Sequence, residues 1–254
     1  MFNSASFVAG TLFGLDYFSK AFAFDRPVPS HPLHPRIALI IDDIGYSRSR
    51  ARQFLDLNIP ITYSILPRLA NSNKLACEIH EEGHEIMLHQ PMEPYNSEID
   101  PGPGALYVGD PADRIIKTME KNISDMPFAI GVNNHMGSRF TSSPWKMNQA
   151  LKVIKKRELF FVDSLTSSHS TAYQRAKALR VPAAFRNIFL DNHSDEPSII
   201  YQLRRLKKHA RVYGTAIGIG HPYPETIRAI IHYLPHLKTS DISLVPISDL
   251  IRSS

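Results

Sequence analysis

A chain of 254 residues, 43% hydrophobic and 21% charged, carries enough apolar material for one substantial core, either a single α/β barrel or two smaller domains. Its formal charge of +5, from 29 basic and 24 acidic residues, is too mild and too scattered for a nucleic-acid binder. A lone cysteine, Cys77, excludes an internal disulfide, and its place beside Leu75, Ala76 and Ile79 in a helical pattern predicts a buried, inert thiol.

The N-terminal apolar run from Phe7 to Leu15 is shorter than the roughly 20 residues that cross a bilayer, so no transmembrane span is expected. Ala21 and Ala23 make a small-x-small cleavage pattern, although the basic stretch that usually opens a signal peptide is missing. A periplasmic or secreted location is the expectation, with the cytoplasm as the alternative. The following DRPVPSHPLHPR holds four prolines in twelve residues and reads as an extended linker. Residues 1–36 are therefore expected to be a signal or anchor remnant plus linker, and residues 37–254 the folded domain.

From Ile37 onward, strand-like apolar runs alternate with segments of helical period, the pattern of a parallel sheet with crossover helices. Strands are predicted at Ile37 to Ile41, Ile61 to Leu66, Glu85 to Leu88, Phe128 to Val132, Leu159 to Val162, Ala183 to Phe185, Tyr213 to Ile219 and Ile242 to Val245. Helices are predicted at Ser47 to Leu57, Ser72 to Glu82, Pro111 to Ser124, Pro144 to Arg157, Ser170 to Leu179, Glu196 to His209 and Pro224 to Leu234. The fold class is α/β, a distorted (β/α) barrel of seven or eight strands. The long Pro- and Gly-rich stretch from Gln90 to Asp110 interrupts the alternation, and loops of that length are usually functional or mobile. The basic run RRLKKHAR, Arg204 to Arg211, falls at helical spacing and reads as a solvated helix face, with contact to acidic polymers or lipid headgroups as the alternative.

Chemistry-bearing residues return repeatedly to the strand ends. Asp42 and Asp43 follow the first strand, His89 the third, His135 the fourth, Asp163 the fifth, Arg186 and Asp191 the sixth, and His221 the seventh. In parallel α/β folds those ends face one common site. Each residue has a plainer explanation: the aspartates as turn or cap residues, the histidines as satisfied core groups, Arg186 as a counter-charge. Their shared position favours one metal or acid–base centre. One carboxylate and two imidazoles leave open positions on a zinc ion, the arrangement of catalytic zinc. Asp43 as a ligand would let Asp42 stay ionised beside it as a base, and His221 could protonate a leaving amine.

The segments IALIIDDIG, EIMLHQPMEP, GVNNHMGSRF, FFVDS, FRNIFLD and GIGHP together resemble the divergent polysaccharide deacetylases, a branch of the NodB-homology, carbohydrate esterase family 4 group. The resemblance runs from about Ile37 to Ser248. It implies a NodB-like barrel that hydrolyses N-acetyl groups on an amino-sugar polysaccharide with a divalent metal, most simply Zn²⁺. It also implies Asp42 as the base, Asp43 and His89 as metal ligands, and His221, Arg186, Asp163 and Asp191 as further catalytic-site residues. The family's second ligand histidine, four positions after the first, is replaced here by Glu93, so the third ligand is either Glu93 or His135, with His135 preferred for its strand-end position. No Arg-x-Pro-Tyr segment is present, and Asn187 stands where the divergent branch is expected to carry Asp. Arg186 would hold Asp42 ionised if the two approach. Tyr95 and Tyr107 of the long loop are candidates for a sugar-facing wall. The altered motifs leave a second reading, an envelope carbohydrate-binding or scaffold protein without turnover, and a third, a peptide amidase or phosphoesterase.

Overall fold

The computed structural model describes residues 34–252, which belong to one of the chain's two units, His31–Ser254. The expected leader and linker therefore lie, but for their last three residues, outside the described residues. The strands are β1 (Arg36–Ile44), β2 (Thr62–Ile65), β3 (Glu85–Met92), β4 (Ala129–Met136), β5 (Phe160–Asp163), β6 (Ala183–Phe185), β7 (Ile188–Phe189), β8 (Thr215–Gly220) and β9 (Ser243–Leu244). Between and after them run α1 (Arg48–Leu55), α2 (Ser72–Glu81), α3 (Ala112–Ser124), α4 (Pro144–Lys156), α5 (Ala172–Ala178), α6 (Glu196–Tyr213), α7 (Pro224–Lys238) and α8 (Ile247–Arg252). The strands pair in parallel in the order β6-β5-β4-β3-β2-β1-β8-β7, with β9 beside the start of β1. None of the described helices is long and apolar enough to cross a membrane.

The two ends of that order, β6 and β7, are consecutive in sequence and joined only by Arg186 and Asn187. The Arg186 amide donates to the Asp163 carbonyl at 3.0 Å and the Asn187 amide to the Ile217 carbonyl at 3.0 Å, so adjacent residues bond to opposite edges of the sheet. Asn187 Oδ1 also accepts from the Ile217 amide at 2.7 Å. Its side chain thus completes the ladder at the seam where the barrel closes. An acceptor oxygen is what this position needs, and Asn supplies it. No crossover helix separates β6 from β7, so the outer layer has no helix of its own over this seam.

Two apolar clusters follow from the alternation of side chains along the strands. Leu39, Ile41, Tyr63, Leu88, Val132 and Phe161 face the surrounding helices. Ala38, Ile40, Met87, Phe160, Val162, Ile217 and Ile219 form a second cluster inside the barrel, where Ile247, Leu250 and Ile251 of α8 join them. That short helix, absent from the sequence expectation, stoppers the N-terminal end of the barrel. Gly131 leaves the space beside it to the Phe160 ring, which a Cβ there would meet at 2.1 Å.

The element boundaries differ from expectation in an ordered way. Tyr213, expected to open a strand, ends α6, because Gly214 (φ 86°) caps the helix in the left-handed conformation and the strand starts at Thr215. Cys77 is half-buried on α2. The strands β1, β3 and β4 continue past their apolar runs, through Asp42 and Asp43, His89 and Gln90, and Asn133 to His135.

Candidate metal centre

Neighbouring residues on a regular strand point to opposite faces, so Asp42 and Asp43 could not both serve one site on an undistorted β1. Asp42 shares the inward parity of Ala38 and Ile40. Asp43 is brought to the same side by its left-handed backbone, φ 55°, at a shift in the β1–β2 register between Ile41 and Ile44. Asp and Asn tolerate that conformation better than most residues. His89 on β3, Asn133 and His135 on β4, and His221 just after β8 fall on the inward parity set by Met87, Gly131 and Ile219.

One oxygen of Asp43 and one ring nitrogen each of His89 and His135 lie within 4.8 Å of one another. Asp43 Oδ1 is 2.8 Å from His135 Nδ1 and 3.2 Å from His89 Nε2. Despite those short distances it is buried without a properly aligned hydrogen bond. His135 Nδ1 and His89 Nε2 lie in hydrogen-bond contact at 3.2 Å, which leaves the Asp43 oxygen as the orphan of the cluster. A buried acceptor without a hydrogen bond beside two imidazole nitrogens is what a cation would satisfy, so these residues could hold a metal ion. His89 Nδ1 meets Asn133 Oδ1 at 2.7 Å. An amide oxygen can only accept, so that nitrogen carries the proton and Nε2 presents its lone pair to the centre. Glu93 is committed elsewhere: its carboxylate accepts from the Val108 amide at 2.6 Å and pairs with Arg139 at 2.9 Å. Of the two candidate third ligands, the geometry brings His135, and not Glu93, to Asp43 and His89.

The electrostatics match the geometry. Burial opposes charge on Asp43, but His135 and His89 outweigh it and hold the carboxyl well below its ordinary value. Burial likewise opposes charge on His89, yet Asp42 and Asp43 raise its pKa from the ordinary histidine value. For Asp42 burial wins and raises its pKa, against the opposing pull of His89, His221 and the Asn133 hydrogen bond. Asn133 Nδ2 donates to Asp42 Oδ1 at 2.8 Å, while its Oδ1 serves both His89 and the Ser64 hydroxyl. Asn133 and Ser64 were not among the residues expected at the site from the sequence.

Across the site, His221 is held by Asp191. Nδ1–H donates to Asp191 Oδ1 at 2.9 Å, and Asp191 Oδ2 accepts from the His221 amide at 2.6 Å and from the Thr226 hydroxyl at 2.8 Å. Burial would lower the His221 pKa, but the bond and charge of Asp191 overcome it and push the imidazole up to about 9. Its Nε2 faces Asp43 Oδ2 at 3.9 Å. Asp191 is thus a positioning residue rather than a group at the centre itself.

Two expectations need correcting. Arg186 makes no ion pair with Asp42; its Nε and one Nη donate to the Ser164 and Leu165 carbonyls at 2.7 and 2.9 Å, and it lies 4.8 Å from the centre of the Phe189 ring. Asn133 takes the role expected of Arg186 beside Asp42. Asp163 has the outward parity of Phe161 and turns away from the centre. Its carboxylate accepts from the Leu165 amide, the Ser170 hydroxyl and the Tyr173 amide at 2.9, 2.7 and 3.1 Å, anchoring the start of α5. A cavity of about 330 Å³ opens over the centre, walled by Asp42, His89, His135, Arg186, Phe189 and His221. Phe189, rather than Tyr95 or Tyr107, is its aromatic wall. The buried Ser164 hydroxyl lines the same cavity without a hydrogen-bond partner.

Comparison with known proteins agrees with this architecture. The uncharacterized protein YibQ of Escherichia coli K12 is 32% identical over 231 residues, covering 91% of this chain and 72% of that protein. The crystal structure of an uncharacterized protein, ATU2773, from Agrobacterium tumefaciens superposes with a TM-score of 0.81 at 29% identity, covering 86% of this chain and 89% of that one. A mutant of BA3943, a carbohydrate esterase family 4 pseudoenzyme from Bacillus anthracis, with restored enzymatic activity, shares the fold at a TM-score of 0.54 and 14% identity, over 87% of this chain and 69% of that one. The barrel is NodB-like, and the family described as divergent polysaccharide deacetylase matches residues 39–251. With nearly the whole barrel inside that match, the chain belongs to the divergent polysaccharide deacetylases.

Proposed function

We propose that this chain hydrolyses N-acetyl groups on an amino-sugar polysaccharide, using a bound zinc ion. One observation carries the reading: the convergent donor atoms of Asp43, His89 and His135, with the buried Asp43 oxygen left without a hydrogen bond, stand between a buried carboxylate, Asp42, and the imidazole of His221. Zinc, which suits one carboxylate and two imidazoles, would supply Lewis acidity for the acyl carbonyl and the attacking water.

The chain's own residues account for the protons. Asp42, oriented by Asn133 and raised in pKa by burial, accepts the proton of the attacking water. His221 enters the reaction protonated, because Asp191 keeps it charged at neutral pH, and it delivers its proton from Nε2 to the departing sugar amine. Arg186, fixed by two carbonyls, and Phe189 bound the cavity and exclude water from one side. Export to the periplasm belongs to the same proposal, since such polymers lie outside the cytoplasmic membrane.

The test is acetate release from chitooligosaccharides and peptidoglycan fragments by the zinc-loaded protein. Asp42→Asn is expected to lower the rate by about 10²- to 10⁴-fold while zinc content and thermal unfolding stay unchanged. No release from any substrate by fully loaded wild type, with sugar binding intact in Asp42→Asn, favours the carbohydrate-binding reading instead. That second reading draws on Glu93, which stands at the family's usual second histidine and is tied to Val108 and Arg139.

A further inference from the structure

The seam between β6 and β7 has no helix of its own, and beside it lies a groove of about 590 Å³ between Ile188 and the outer face of α6. Tyr201, Arg204, Arg205, Lys208, Val212 and Tyr213 line it, at the roughly three- and four-residue spacing that puts them on one helix face. Tyr201 is 58% exposed and Tyr213 70%. No acidic residue lines the groove, and among the described residues Arg204, Arg205 and Lys208 make no ion pair. Among the described residues Arg205 donates only to Gln202 Oε1, at 3.1 Å. Other cations of α6 are matched: Arg211 pairs with Asp241 at 2.8 Å, and Lys207 donates to the His236 carbonyl at 2.6 Å. An ordinary solvated helix face explains exposed cations, but not their coincidence with exposed rings in a concave surface.

A third concavity lies between the groove and the candidate metal centre. A smaller cavity of about 190 Å³ is lined by Arg186, Phe189, Asn192, Gln202 and Arg205, among others. Arg186 and Phe189 belong as well to the central cavity, and Arg205 to the groove. Three neighbouring concavities that share lining residues thus run from the centre past the seam to the groove. From Tyr201 to Tyr213 the helix rises about 18 Å, a run suited to several linked sugar units rather than one.

We propose that this groove binds the flanking units of an anionic glycan, so that the substrate class is an amino-sugar polymer with regularly spaced carboxylate or phosphodiester groups. The proposal rests on the deacetylase reading for what happens at the centre. The guanidinium and ammonium groups supply charge, and the tyrosine rings supply flat faces for the sugar backbone. The sequence alternative of acidic-polymer contact by Arg204 to Arg211 is here given a place and a role.

Binding is measured on the zinc-loaded full chain in an Asp42→Asn background, which prevents turnover. The probes are an octamer of alternating N-acetylglucosamine and glucuronate, an octamer of phosphodiester-linked N-acetylglucosamine, and neutral chitooctaose. At low salt one anionic probe is expected to bind about tenfold more tightly than chitooctaose, with the advantage shrinking as salt rises. The anionic probe preferred identifies the group. Adding R204A, R205A and K208A abolishes the advantage, whereas R204K with R205K retains it, which separates charge from any loss of fold. Equal binding of charged and neutral probes overturns the proposal, as does an advantage that survives the triple alanine variant. So does binding to phosphatidylglycerol vesicles, lost in that variant, without any preference among the glycans. Acetate release from chitooctaose by wild type, assayed in parallel, reports on the hydrolase reading alone: release without charge preference removes the groove proposal only, and charge preference without release removes hydrolysis only.

Discussion

Asn133 joins the two halves of the centre through one amide group. Its oxygen fixes the tautomer of His89, and its nitrogen orients Asp42, so removing it should disturb metal and base together. Asn133→Leu, similar in size but without those bonds, is expected to weaken zinc binding by about 10- to 100-fold, read by competition with a chromogenic chelator. Asn133→Asp keeps an acceptor for His89 but sets a second carboxylate against Asp42, so zinc affinity should hold while acetate release falls. Unchanged zinc affinity in the leucine variant would show that His89 is oriented by something else. The residue was overlooked because asparagine is not a habitual zinc ligand or base. Its position was nonetheless readable, two residues before His135 and therefore on the same face of β4. The same rule would have set Asp163 aside, since it alternates with Val162, which faces the barrel interior.

At the level of elements, α8 shows what holds the interior together. Ile247 is fully buried, Leu250 and Ile251 nearly so, and all three pack against inward residues of β1, β3, β5 and β8. Ile247→Ala should cost about 2 to 5 kcal/mol, visible as a lower denaturation midpoint with an unchanged slope. A midpoint equal to wild type would mean that the interior does not depend on its stopper. Helical period revealed α1 to α7, because each repeats its apolar face over enough turns. The six residues of α8 and the two of β7 are too short to carry a period. The strands β1, β3 and β4 were underestimated for a functional reason: the apolar runs stop where Asp42, His89 and Asn133 begin, although pairing continues through His89 and Asn133 and resumes at Ile44 after the break at Asp42 and Asp43. Strand order and barrel closure through Asn187 depend on contacts distant in sequence, which no local pattern encodes.

For the whole molecule, the three donor groups come from β1, β3 and β4, so a bound ion would tie separate parts of the barrel into one unit. Zinc at about 100 times its dissociation constant should add about 2.7 kcal/mol and raise the melting temperature by about 5 to 10 °C. Asp43→Ala should erase that rise and Glu93→Gln should leave it, as followed by scanning calorimetry with and without chelator. A rise that persists in Asp43→Ala would place the ion elsewhere. The stoppered end of the barrel bears on traffic. With α8 blocking the floor and the centre at the opposite rim, nothing passes through the barrel's axis, and on the hydrolase reading the freed acid leaves on the same side from which the next sugar arrives. Accumulating acetate would then meet the incoming sugar on that shared side and compete with it for the centre.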